Sequence, residues 1–203
     1  MDLDELLARD GLPATTRRLV LTIVAAWRGD QARLADCARR GRDHGQPRAD
    51  FEETLLQAVL FAGFPRVVSA FETLATAWPT TEPPTGGALP PADQAAAGNA
   101  LFAAIYGRNT DAVHGMLRSF HGEFHDFVLE AAYGRILARP GLPPKERELL
   151  AVGVLAAQDQ RRQFVAHARG AVNFGATAAE LGEVLWSVFS DPAQVASWQQ
   201  LLR

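Results

Sequence analysis

Residues 147–157 read RELLAVGVLAA, and Leu149 to Ala157 is apolar nearly all the way round. A helix without a polar face belongs in the middle of a bundle rather than on its surface. Just upstream, Leu142-Pro143-Pro144-Lys145-Glu146 puts prolines and then an acid where a helix starts. Downstream, Phe164, Ala168 and Ala171 recur at helical spacing, and His167 lies on their stripe. A turn near Gln158–Gln160 makes these two helices antiparallel. Glu148 shares a face with Val152 and Leu155. At ~1.5 Å per residue, Glu148 before the turn and His167 after it differ in height by only a few Å. A carboxylate and an imidazole are therefore expected to meet inside an apolar bundle, where proton affinities are easily tuned. Periodicity alone equally admits an acid favoured by the helix dipole and a satisfied core histidine.

The same pattern occurs earlier in the chain. A shift of 130 residues places Gly11-Leu12-Pro13 on Gly141-Leu142-Pro143, Arg9 on Arg139 and Arg17 on Arg147. It also places Leu19 on Leu149, Val24 on Val154, Ala26 on Ala156, Ala38-Arg39 on Ala168-Arg169 and Gly45 on Gly175. These identities without a gap predict two repeats, at 1–78 and 100–203. Between them, PTTEPPTGGALPP (79–91) holds five of the twelve prolines, and a Pro/Gly-rich linker is assigned to 79–99. No alternating run of β-branched residues bounded by tight turns is present, so the chain is expected to be all-α. Helices are predicted near 2–8, 14–28, 31–44, 49–61, 65–77, 93–106, 109–119, 121–137, 144–157, 160–174, 178–190 and 192–202.

Composition removes several classes of function. Twenty basic against 23 acidic residues give a net charge of −3, against a protein built mainly to bind nucleic acid. One cysteine, Cys37, excludes an intrachain disulfide and a Cys-x-x-Cys redox centre; it reads as a buried small side chain. The acidic start MDLDELLARD lacks the character of a signal peptide. Unbroken apolar stretches such as Leu149 to Ala157 are roughly half of a membrane span. A soluble, cytoplasmic protein with no membrane partner is expected. His121 and His125 have metal-ligand spacing, but with no third ligand fixed, they and His114 read as surface histidines and no metal site is assigned. The arginine clusters at 39–42 and 161–162 fit solvated helix faces or anion contacts equally well.

Several short motifs together resemble one family. Tyr133-Gly134, Arg139-Pro140-Gly141-Leu142, Arg147-Glu148-Leu149, His167-Ala168-Arg169-Gly170-Ala171 with Gly175, and Phe61-Ala62-Gly63-Phe64-Pro65 look like the carboxymuconolactone decarboxylase family. That family belongs to the AhpD-like (alkylhydroperoxidase) all-α superfamily. The resemblance covers about residues 9–77 and 120–190. It implies an AhpD-like helical bundle of two fused repeats and a homo-oligomer, a trimer or dimer. The hydroperoxidase branch of that superfamily places two cysteines between its Glu and its His. Here those positions are Gln160 and Gln163, while Glu148 and His167 match the proton relay. Without thiolates, dithiol peroxidase chemistry is excluded. In the first repeat Arg18 and Cys37 occupy the relay positions, so that copy reads as structural or regulatory.

The resemblance implies acid/base chemistry on a small carboxylate-bearing lactone or organic acid, without a cofactor. Glu148 and His167 would be catalytic, Arg139 or Arg147 the carboxylate anchor, and Gln163 and Tyr133 further substrate contacts. An enclosed pocket near Gln163 is expected. The alternative is a non-catalytic AhpD-like protein that binds a ligand or partner.

Overall fold

The computed structural model describes residues 2–83 and 87–202. Met1, Arg203 and 84–86, at the limits of the predicted repeats and inside the predicted linker, lie outside the described residues. Among the described residues there is no strand. The helices are α1 (Leu3–Leu7), α2 (Ala14–Arg28), α3 (Gln31–Asp43), α4 (Arg48–Ala77), α5 (Pro91–Tyr106), α6 (Thr110–Phe120), α7 (Gly122–Phe127), α8 (Pro144–Ala157), α9 (Arg161–Asn173), α10 (Ala178–Val188) and α11 (Pro192–Gln199). A π-helical segment, Val128–Leu137, continues from α7.

The apolar stretch Leu149–Ala157 lies in α8, which is buried from Arg147 through Ala156. Its counterpart α2 is buried from Thr16 through Ala26 and packs directly against it. Around this central pair, α3 and the first half of α4 surround α2, as α9 and α10 surround α8. The starts of α2, α3 and α4 precede those of α8, α9 and α10 by 130 residues each. Thr16 and Glu146, equivalent under that shift, meet through a 3.0 Å hydrogen bond from the Thr16 hydroxyl. Equivalent residues touch only near a two-fold axis, so the repeats pack as the halves of a symmetric dimer would.

Cap chemistry fixes the helix starts. Asp30 accepts the Arg33 amide at 3.0 Å, and Thr177 with Glu180 forms a reciprocal capping box. The two helices predicted near 49–61 and 65–77 run into each other as α4, with the break at Gly63 (φ 71°, ψ 170°). By length and composition α4 could cross a membrane, with a mean hydropathy of 1.5 over its most apolar window. It is bent at that glycine, carries Pro65, and sends Phe51, Leu55, Ala58, Val67, Ala70 and Leu74 into the core. The linker is shorter than predicted: Pro91 starts α5, because a proline at the first helical position loses no hydrogen bond. Thus 91–99 is helix, laid on the π-helical segment and α9.

Candidate active site

Glu148 stands in the second turn of α8 and is 2% exposed, while His167 projects from the antiparallel α9. The His167 Nδ1 lies 3.0 Å from Glu148 Oε2. One turn beyond His167, Gly170 leaves room for that carboxylate; a Cβ there would collide with Glu148 Oε2 and crowd Ile105. Burial pushes the His167 imidazole down, but the charge and hydrogen bond of Glu148 outweigh it, and the net pKa lies above the ordinary histidine value. With Nδ1 engaged by the carboxylate, Nε2 is the nitrogen left to exchange a proton.

A phenol pair adjoins the relay. Tyr133, 4% exposed, comes from the π-helical segment, and its hydroxyl is 2.9 Å from that of Tyr106 at the end of α5. Burial first, and the Glu148 charge as well, hold both phenols above their usual range. Phe102 packs against both rings and stacks on His114, with centroids 4.4 Å apart. His114 and His125 are not the surface features expected. The two rings share a 2.8 Å contact, and His125, 4% exposed, makes another of 2.8 Å to Asp126; the i,i+4 partner His121 is exposed.

The two arginines expected as carboxylate anchors are both engaged by an acid of the first repeat. Arg139 grips Glu53 through Nε and Nη2 at 2.7–3.0 Å, and Arg147 Nη2 reaches the same carboxylate at 2.7 Å. Arg147 is 1% exposed, as is Glu53, so this cation is held by the first repeat and not offered to a ligand. Arg9 and Arg17 hold Glu183 in the same way, at 2.6–2.9 Å. Glu53 and Glu183 are related by the 130-residue shift, so extending that comparison a few residues past Gly45 reveals both acids. Gln163 is exposed, and the large cleft beside α9 is lined by Tyr106 but not by Gln163, Glu148 or His167. This cleft runs along the Arg162–Arg169 face of α9. Sequence reasoning missed Tyr106, which carries none of the recognised motifs. In the first repeat, Arg18 donates to Gln46 at 2.7 Å beside a fully buried Cys37, whose thiol burial pushes up to about 12. Among the described residues of that repeat, no carboxylate–imidazole relay is formed.

The profile of the carboxymuconolactone decarboxylase family matches residues 1–76 and 122–201. The chain belongs to this family. Among curated relatives, it is 25% identical over 178 residues to Peroxisomal protein 2 of Schizosaccharomyces pombe, covering 85% of this chain and 84% of that one. It is 35% identical over 69 residues to 4-carboxymuconolactone decarboxylase of Acinetobacter baylyi, covering 34% of this chain and 52% of the relative. It is 37% identical over 60 residues to nitrosuccinic acid decarboxylase of Metarhizium robertsii, covering 30% of this chain and 42% of the relative. The match to the two decarboxylases therefore spans about half of their length or less. Within this family member, 77–121 lie outside the matched spans, and that segment contributes α5, α6 and Tyr106.

Proposed function

We propose that this family member is an acid/base enzyme that removes CO₂ from a small carboxylate-bearing lactone or organic acid. The observation that carries the reading is the buried 3.0 Å contact between Glu148 and His167. Support comes from the two partial relatives named as decarboxylases. In the proposed step the bond between carbon and the departing carboxylate breaks, CO₂ leaves, and the electron pair stays on the organic fragment. The His167 Nε2–H delivers the proton that this carbon takes up, and solvent then reprotonates the imidazole. Glu148 is a positioning residue: it fixes the ring and stabilises the imidazolium from the Nδ1 side. Tyr106 and Tyr133 supply hydroxyls beside the relay. No redox cofactor enters this balance, and with Gln160 and Gln163 at the thiol positions the chain has no dithiol peroxidase activity.

A second reading, a non-catalytic ligand-binding or partner-binding protein, is favoured by one observation: the large cleft leaves Glu148 and His167 out of its lining. Glu148→Gln separates the two. The variant keeps its fold by circular dichroism, CO₂ release from a panel of carboxylated lactones falls roughly 10²-fold, and the NMR titration of His167 moves down. CO₂ release equal to that of the unaltered chain overturns the relay. A His167 that titrates identically in both proteins does so without any substrate.

A further inference from the structure

We propose that the cleft between α9 and the end of α5 with α6 binds an elongated dicarboxylate, an apolar chain with an anionic group at each end. The cleft measures about 900 Å³, at the upper end of small-molecule sites and far larger than a small lactone acid requires. Three arginines line it: Arg108 after α5, and Arg162 and Arg169 from α9. No acidic side chain lines it, although the chain carries more acids than bases. None of the three arginines has a carboxylate partner among the described residues; Arg162 Nη2 rests on the Met116 sulfur at 2.9 Å. A thioether is a weak acceptor, which an incoming carboxylate displaces readily.

The order of side chains along the wall sets the ligand's shape. On one face of α9 the residues read Arg162, then Val165 and Ala166, then Arg169. The two guanidinium-bearing positions are seven residues apart, or about 10.5 Å along the axis. Val113 and Met116 of α6 supply apolar surface opposite. Charge, hydrocarbon, charge is the complement of an α,ω-dicarboxylate and not of a compact acid or a simple fatty acid. Tyr106 belongs both to this lining and to the phenol pair, and so links the cleft to the interior that holds the relay. The segment that closes the cleft, with Arg108 and α6, lies outside the spans matched by the family profile.

Turnover of such a ligand rests on the proposed relay; its binding does not. Calorimetric titration of the full chain with succinate, adipate, suberate and sebacate is expected to show affinity rising with length. Suberate or sebacate should bind at least tenfold more tightly than octanoate, with the advantage shrinking in added salt. Arg162→Ala and Arg169→Ala, both exposed and outside the ion networks, should each weaken suberate about tenfold while leaving the melting temperature unchanged. Equal affinity for suberate and octanoate, no saturable binding of any member, or arginine variants that bind normally would each overturn the proposal. Glu148→Gln should bind the series normally. Unchanged CO₂ release in Glu148→Gln with intact dicarboxylate binding therefore sinks only the functional reading, and a fall in CO₂ release in that variant with no dicarboxylate binding by the unaltered chain sinks only this one.

Discussion

Glu53 neutralises the guanidiniums of Arg139 and Arg147. With Arg147 at 2% and Arg139 at 10% side-chain exposure, removing the acid takes a directly bonded carboxylate away from buried positive charge. Glu53→Gln is expected to cost about 3–5 kcal/mol in urea unfolding, the usual scale for breaking a buried pair from one side. Glu183→Gln should cost less, because Glu183 is 15% and Arg9 29% exposed. Burial opposes ionisation of both acids, yet hydrogen bonds and charge from their arginines win, and both pKa values lie below the ordinary carboxylate value. A pKa depressed in the folded state stabilises fully above the unfolded value, near 4.5, and is lost as pH falls through the folded value. Urea midpoints should therefore fall steeply below about pH 4.5 in the natural chain and more gently in Glu53→Gln. Parallel profiles would show that the network carries no such linkage.

At the scale of elements, α4 turns at a residue with φ 71° and ψ 170°, a region essentially reserved for glycine. Gly63→Ala should destabilise the chain by about 1–3 kcal/mol, read as a lowered melting temperature; an unchanged melting curve would mean that α4 can straighten. Where α9 crosses α8, Gly170→Ala should add helix propensity yet push the Glu148 carboxylate away. The chain folds, and the His167 pKa drops toward the ordinary value; NMR showing it still raised would mean that the carboxylate finds another path to the ring. The helices around both crossings were legible in the sequence, because an all-apolar stretch, proline starts and a 130-residue recurrence are local signals. The Glu148–His167 contact was legible for the same reason: one turn and two helical phases define it. Tyr106 was not, since only the packing of α5 against the π-helical segment brings it to Tyr133. Nor was the fate of Arg139 and Arg147, because their partner Glu53 is 86 and 94 residues away in sequence.

For the molecule as a whole, two repeats closed about a two-fold axis still leave aromatic surface uncovered. Phe120 and Phe127 are 64% and 67% exposed, with Phe124 at 47% between them and Phe64 at 75% elsewhere. We propose that the chain self-associates as a dimer or trimer, the outcome expected where apolar surface of this kind persists. Light scattering at micromolar concentration should give a multiple of 22.0 kDa; a single species at the monomer mass would overturn it.

The crossed arginine networks also govern the order of events during synthesis. Arg17 is made early, but the carboxylate that neutralises it is made 166 residues later, and Glu53 waits 94 residues for Arg147. A nascent first half on the ribosome thus holds a guanidinium pair without its acid, an acid without its guanidiniums, and one bare flank of α2. By itself it lacks the partners that complete its core in the full chain. Folding is expected to wait until both halves have emerged, which would make a truncated translation product a substrate for chaperones and proteases rather than a small working domain.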